Sequence, residues 1–332
     1  MQTLIQNTQA YRLLKTEREN NRFSHAYLLI FNDARNLRSA LKIFAKLFFG
    51  CENPQTEREK TVAKRIDEES FSDCLIFPEP DKKFVVDDAE RLAEECMLKP
   101  VESDKKLFLI ADFAEANTAS QNKLLKLLEE PPKNVFFLLG ATTPFSVLST
   151  VLSRVAKLEI LPFPESALSS ALARIYGENK FTQTDFQLCA TASGGSLGTA
   201  QTMLEGGEYK TLIDEAFSLC LCTGKTLPPL VRKTGETKRK KELLFLLRTI
   251  FRDALLVKTL PSKKDALLLK PKADELTAVA EKYRAEVLIY AQEEISKAEK
   301  QVFFNAYFPQ CLEVLISNIL FFNAKQAKKN QN

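Results

Sequence analysis

The sequence predicts an α/β domain built on a parallel sheet, followed by a longer all-helical region. Three observations carry this. Short apolar runs at Ala26–Phe31, Leu107–Ile110 and Val135–Leu139 read as strands buried on both faces. Stretches of helical period lie between them, and strands joined through helices pair in parallel. After Gly206-Gly207 the strand signals stop and long apolar stripes at helical spacing take over.

Taken in order, residues 1–22 form an amphipathic pattern with Leu4, Ile5, Tyr11, Leu13 and Leu14 on the apolar side. The first strand, Ala26–Phe31, leads through a turn to a helix over Leu37–Phe49. Cys51 to Cys74 is rich in charge and reads as a solvated helix or loop. Phe84 to Lys99 reads as a strand end and then a helix capped by Asp87 or Asp88. The run Leu107–Ile110 is closed by Asp112. Thr118 and Gln121 have capping-box spacing, and Leu124, Leu125, Leu127 and Leu128 supply the stripe of a helix that Pro131-Pro132 ends. Val135–Leu139 follows, then a short helix through Val147, Leu148 and Val151 with Ser153-Arg154 at its C-terminal end. Lys157 to Leu161 alternates as a further strand. The expected division is an α/β domain over 1–162, a small helical unit over 163–206, a helical bundle over 207–323 and a flexible tail over 324–332. Within the small unit, helices are expected from Pro164-Glu165 through Ala173, over Thr182–Ala192 and over Ser196–Leu204. The bundle should hold Tyr209–Cys222, Lys241–Leu260, Lys272–Gln292, Lys297–Phe308 and Gln310–Asn323.

The totals exclude several classes. The 332 residues are 45% hydrophobic and 27% charged, the balance of an ordinary globular chain. A net charge of +4 permits nucleic-acid contact without demanding it. Nothing at the N-terminus has the layout of a signal peptide, and the apolar runs are too short to cross a membrane. Seven cysteines, an odd number, point to reduced thiols and a cytoplasmic protein. The one histidine, His25, removes multi-histidine zinc sites and leaves histidine-based nucleophilic catalysis hanging on one residue. A locally satisfied imidazole at a strand start is the favoured reading.

The string LLKLLEEPP (Leu124–Pro132), the strand after it, the Thr142-Thr143-Pro144 turn and Leu152-Ser153-Arg154 resemble the clamp-loader branch of the AAA+ family, as found in bacterial DNA polymerase III. The likeness runs from about Phe23 to Leu204. It implies an AAA+ type sheet domain, a helical lid and an oligomerising helical collar. An ATP-binding member carries GxxxxGK[ST] after its first strand, glycines letting backbone N–H groups approach the phosphates and lysine adding charge. Here the stretch is Phe31, Asn32, Asp33, Ala34, Arg35, Asn36, Leu37 and Arg38, without glycine and with leucine at the lysine position. Ala111-Asp112 stands where active members have Asp-Glu, and Gly198 where they have a sensor arginine. The resemblance therefore implies a degenerate phosphate loop and no bound cofactor, with ATP and Mg²⁺ held by neighbouring subunits. Relatives insert a four-cysteine zinc module here, but Cys51 and Cys74 alone are too few for zinc. Cys220-x-Cys222 is a weak redox or metal signal.

Ser153-Arg154 matches two positions of the family's Ser-Arg-Cys motif, Val155 replacing the cysteine. The resemblance implies that Arg154 is an arginine finger acting in trans on a neighbour's ATP, positioned by Ser153. The plainer reading is a guanidinium capping the helix before it. The implied partners are the ATPase subunits and a delta subunit in a heteropentamer, with the sliding clamp reached indirectly and primer-template DNA through the complex. Two rivals are an active motor subunit with an unorthodox phosphate loop, and a clamp-opening delta subunit. Lys238-Arg239-Lys240-Lys241 is a dense basic run without interleaved aromatics, which fits a solvated helix start better than a base-stacking surface.

Overall fold

The computed structural model describes residues 1–177 and 180–329. The chain forms two compact units, Met1–Phe163 and Pro164–Asn332. The first opens with α1 (Gln2–Gln6) and α2 (Gln9–Glu19), where one amphipathic stretch was expected. Thr8 makes the break: its backbone is extended, and its hydroxyl accepts the Tyr11 N–H at 3.2 Å as the N-cap of α2. Then follow β1 (Ala26–Phe31), α3 (Ala34–Phe49), α4 (Glu57–Asp67), β2 (Cys74–Phe77), α5 (Val86–Cys96), β3 (Lys106–Ile110), α6 (Thr118–Glu129), β4 (Val135–Ala141), α7 (Ser149–Leu152) and β5 (Ala156–Ile160).

The five strands pair in parallel in the order β2-β3-β4-β1-β5. Ile30 pairs with Ala141, so β1 and β4 run to nearly the same level, while β3 ends at Ile110 opposite Leu139, two residues short of the end of β4. Both faces are covered. Ala26, Leu28, Phe108, Ile110, Phe137 and Leu139 join Leu92 of α5, Leu124 and Leu128 of α6 and Val151 of α7 in one core. The alternate positions meet α3. A Cβ on Gly140 would lie 3.0 Å from Leu41 Cδ1 and 3.3 Å from Leu37 Cδ1, so the absence of a side chain there lets α3 approach the sheet. The sheet departs from expectation at one edge. Phe84 is a buried coil residue, and the strand is Cys74–Phe77, beginning where the stretch read as helix or loop ends.

The second unit is helical: α8 (Glu165–Tyr176), α9 (Gln183–Ala192), α10 (Leu197–Gly206), α11 (Glu208–Leu221), α12 (Leu227–Thr234), α13 (Lys240–Thr259), α14 (Ala273–Lys282), α15 (Ala285–Phe303) and α16 (Phe308–Lys329). Helix α13 is central, packed against α11, α14 and α15. Its buried Asp253 accepts the Leu268 and Leu269 N–H groups at 2.8 and 2.9 Å, which pins the connection to α14. The helices expected over Lys272–Gln292 and Lys297–Phe308 are divided elsewhere. The break falls at Tyr283-Arg284, where Lys282 Nζ and the Tyr283 hydroxyl both donate to the Cys220 carbonyl, at 3.0 and 2.7 Å. Residues 324–329, expected as part of the tail, continue α16, and 330–332 lie outside the described residues.

Asp73, fully buried just before β2, closes the first unit's edge. Its carboxylate accepts the N–H groups of Val101, Glu102 and Ser103 at 2.7, 2.8 and 2.7 Å. Burial alone would raise its pKa; the three backbone donors outweigh that and hold it below the ordinary value. A group with a depressed folded pKa stabilises the fold above its unfolded pKa and loses that contribution as pH falls. Asp73→Asn should therefore lower unfolding free energy by about 2 kcal/mol at neutral pH in urea melts. The deficit should shrink as the pH drops below the ordinary aspartate value of 3.8.

Candidate functional site

The carboxyl end of the sheet is where an open parallel α/β fold holds its ligands. In this chain the start of α3 and Asp112 stand at that end. Helix α3 begins at Ala34, three residues before the expected start, so the segment that would form a phosphate loop is wound into the helix's first turn. The Asp33 carboxylate sits on that turn, accepting the Asn36 N–H at 3.2 Å and the Asn36 side-chain amide at 3.0 Å. A negative charge thus occupies the positive end of α3, where a phosphate would otherwise bind. Leu37 is fully buried against Gly140, directed into the core.

Arg38 is tied down beside it. Its Nε donates to Glu69 at 2.8 Å and its Nη1 to the Pro78 carbonyl at 2.8 Å, while Nη2 also reaches Glu69. Lys42 pairs with the same carboxylate at 2.7 Å. The Arg38 hydrogen bond, with support from Lys42, holds the Glu69 carboxyl down at about 2. Asp112 stands past the end of β3 in a left-handed backbone conformation, φ 51°. Burial pushes its pKa up, with Glu115 adding to the rise and Arg38 opposing it. The Asp112 side chain makes no capping bond to the short helical turn Phe113–Glu115; its carbonyl accepts the Glu115 N–H at 2.8 Å. Gly198 is buried in α10, in the second unit.

Arg154 lies at the other end of the sheet. It comes two residues before Ala156, which pairs with Tyr27 near the start of β1. From there to Phe31 is four strand steps, about 13 Å. Its guanidinium is engaged on two sides. Nε donates to Glu129 Oε1 at 2.9 Å, and Nη2 donates to the same oxygen. Nη1 donates to the Thr150 carbonyl at 2.8 Å and to Ser153 Oγ at 3.1 Å. Ser153 Oγ itself donates to the Thr150 carbonyl at 3.0 Å, so hydroxyl and guanidinium share one helix end. The arginine side chain is 33% exposed and the glutamate 48%.

Two residues that the sequence reading misjudged bear on this arrangement. Helix α6 is capped by Asn117, which accepts the Ser120 N–H at 2.8 Å, and Gln121 is free of the capping role assigned to it. Buried Gln121 instead donates to the Ala116 and Ser146 carbonyls, both at 3.0 Å, and accepts the Leu148 N–H at 2.9 Å. It thus ties the start of α6 to the segment entering α7, the helix before Arg154. His25 Nε2 donates to the Leu128 carbonyl at 2.8 Å, a contact across the fold where a local one was expected.

The remaining candidates stay apart from this site. The thiols of Cys51 and Cys74 are buried, and burial pushes both pKa values up, Cys51 to about 11. A metal-binding thiol must be deprotonated. Among the described residues no group of three or more His, Cys, Asp or Glu side chains could hold a metal ion. Cys220 and Cys222 are likewise buried with raised pKa values. The basic run enters α13 without a side-chain cap, Lys240 lying 5.9 Å over the Phe308 ring.

Residues 6–164 match the family model described as DNA polymerase III, delta subunit. The α/β unit is thus similar to clamp-loader subunits of DNA polymerase III. Over 162 residues the chain is 30% identical to subunit delta' of Bacillus subtilis, 48% of this chain and 49% of that protein. It is 24% identical to the Bacillus subtilis tau subunit over 308 residues, 85% of this chain and 54% of tau. The tau/gamma subunit of Haemophilus influenzae is 32% identical over 184 residues, 54% of this chain and 26% of that protein. The chain thus spans about half or less of the length of these curated relatives. Among the described residues no helix is long and apolar enough to cross a membrane.

Within this α/β unit, Gln121→Leu removes three hydrogen bonds of a buried side chain at once. It should cost about 2 kcal/mol and speed amide exchange at Leu148, read by hydrogen–deuterium exchange, more than at the β3 and β4 amides.

Proposed function

We propose that this chain is a clamp-loader subunit of the delta prime type, which binds no ATP and lends Arg154 to a neighbouring ATPase subunit. The observation that carries the reading is the opposition of the two sheet ends. At the carboxyl end Asp33 occupies the α3 N-terminus and Leu37 the core. At the amino end an accessible guanidinium precedes β5, whose first residue pairs four strand steps, about 13 Å, before Phe31, in a place suited to another molecule's phosphate.

On this reading the chain has no cofactor of its own, and ATP and Mg²⁺ belong to its neighbours. In phosphoryl transfer, charge spreads over the equatorial oxygens of the transferred group, and a guanidinium brought to it stabilises that charge without forming a bond. Arg154 would perform that task, with Ser153 and the Thr150 carbonyl orienting its Nη1. The helical unit would supply assembly contacts in a heteropentamer with ATPase and delta subunits. Exposed Tyr307, Val314 and Phe321, seven residues apart along the start and body of α16, give it an apolar stripe for a neighbouring helix. The clamp and primer-template DNA would be reached through the assembled complex, in the cytoplasm.

The motor reading draws on the length of the tau match, and the absence of glycine and lysine from residues 31–38 counts against it. Fluorescent ATP separates the two. The isolated chain should fail to bind it at micromolar concentration, and Arg154→Ala in the assembled complex should slow hydrolysis at the adjoining site on the order of 10³-fold. Micromolar binding by the isolated chain would establish the motor reading instead.

A further inference from the structure

The guanidinium proposed to act in trans is already bonded within its own chain, and the way it is bonded divides it into two faces. Nη1 is held by the Thr150 carbonyl and Ser153 Oγ, both belonging to the α7 turn that carries Arg154. The side-on face, Nε and Nη2, is held by one foreign group, the Glu129 carboxylate at the end of α6. That side-on face is the pair of parallel donors with which arginine takes an oxyanion in bidentate fashion.

Resting on the trans role of Arg154, we propose that Glu129 is its positioning residue. The carboxylate occupies the phosphate-binding face of the guanidinium and yields it when a neighbour presents the phosphate of bound ATP. Carboxylate and phosphate compete for the same two N–H groups, while the contacts to Thr150 and Ser153 keep the side chain in place during the exchange. Exposure of both partners makes the exchange possible: an ion pair open to water is worth little, so it orients Arg154 without trapping it. Helix position adds to this. Glu129 is the last residue of α6, where a carboxylate faces the negative end of the helix and gains from a nearby cation.

The test uses the assembled complex containing wild-type chain, Arg154→Ala, Glu129→Gln, Glu129→Asp or the double variant Arg154→Ala/Glu129→Gln. ATP hydrolysis is followed against ATP concentration at low and high salt. Glu129→Gln should lower KM for ATP about two- to fivefold, more than it alters kcat, and raised salt should erase the difference. Glu129→Asp, which keeps the charge, should restore the wild-type KM. In the Arg154→Ala background Glu129→Gln should have no effect, because the carboxylate acts only through the guanidinium. Equal effects of Glu129→Gln with and without Arg154 would overturn the proposal, as would an unchanged KM in the single variant. If Arg154→Ala leaves hydrolysis unaltered, the trans role itself falls; a loss with Arg154→Ala and no response to Glu129→Gln removes only the role of Glu129.

Discussion

Most of the first unit depends on how closely α3 can lie on the sheet. Gly140 offers no side chain, and Leu37 and Leu41 fill the space where one would be. That contact fixes the axis of α3, and with it the point where the helix begins after β1. Strands β1 and β4 are parallel and run to nearly the same level, so the end of β1 also marks the carboxyl end of β4. The position of Asp33 at the helix start and the burial of Leu37 are consequences of that one packing arrangement. So is the placing of Arg38, one residue further round the helix, towards Glu69 and the Pro78 carbonyl.

Strands β1, β3 and β4 were legible because buried parallel strands are nearly continuous apolar runs and carry their own signal, and the edge strand β5 was legible from its alternation. Strand β2 was not, since four residues beside a charged stretch give no measurable period. Helix α6 was legible from its leucine stripe, but its cap was assigned to Thr118 when Asn117 performs it. Several candidate caps stood in a row, and only the backbone turn selects among them. In the second unit, apolar stripes revealed helices and hid their breaks. The division at Tyr283-Arg284 comes from bonds to Cys220, more than sixty residues earlier, and no local pattern could announce it.

The candidate site shows the same division between local and distant information. Arg154 and Ser153 were found from a motif, and the loss of glycine and lysine after β1 was plain in the sequence. The partner of Arg154 was not, although Glu129 lies within the very string that suggested the family. Glu129 and Arg154 are separated by strand β4 and helix α7, and their meeting is a product of topology. Gln121 was misread for a related reason: its amide bonds to Ser146 and Leu148, which come close only after β4 has returned the chain past α6.

The early start of α3 also bears on reversibility. A chain that had merely lost a lysine could regain it by one substitution. Here residues 34–38 of that stretch are already helical, and the first turn is capped by Asp33. Bringing glycines and a lysine back one at a time would weaken the helix, by about 1 kcal/mol for each glycine within it, before any phosphate could be held. Each intermediate would lose stability and gain nothing. The geometry at the head of α3 therefore behaves as a ratchet, easy to enter by small steps and hard to leave by them.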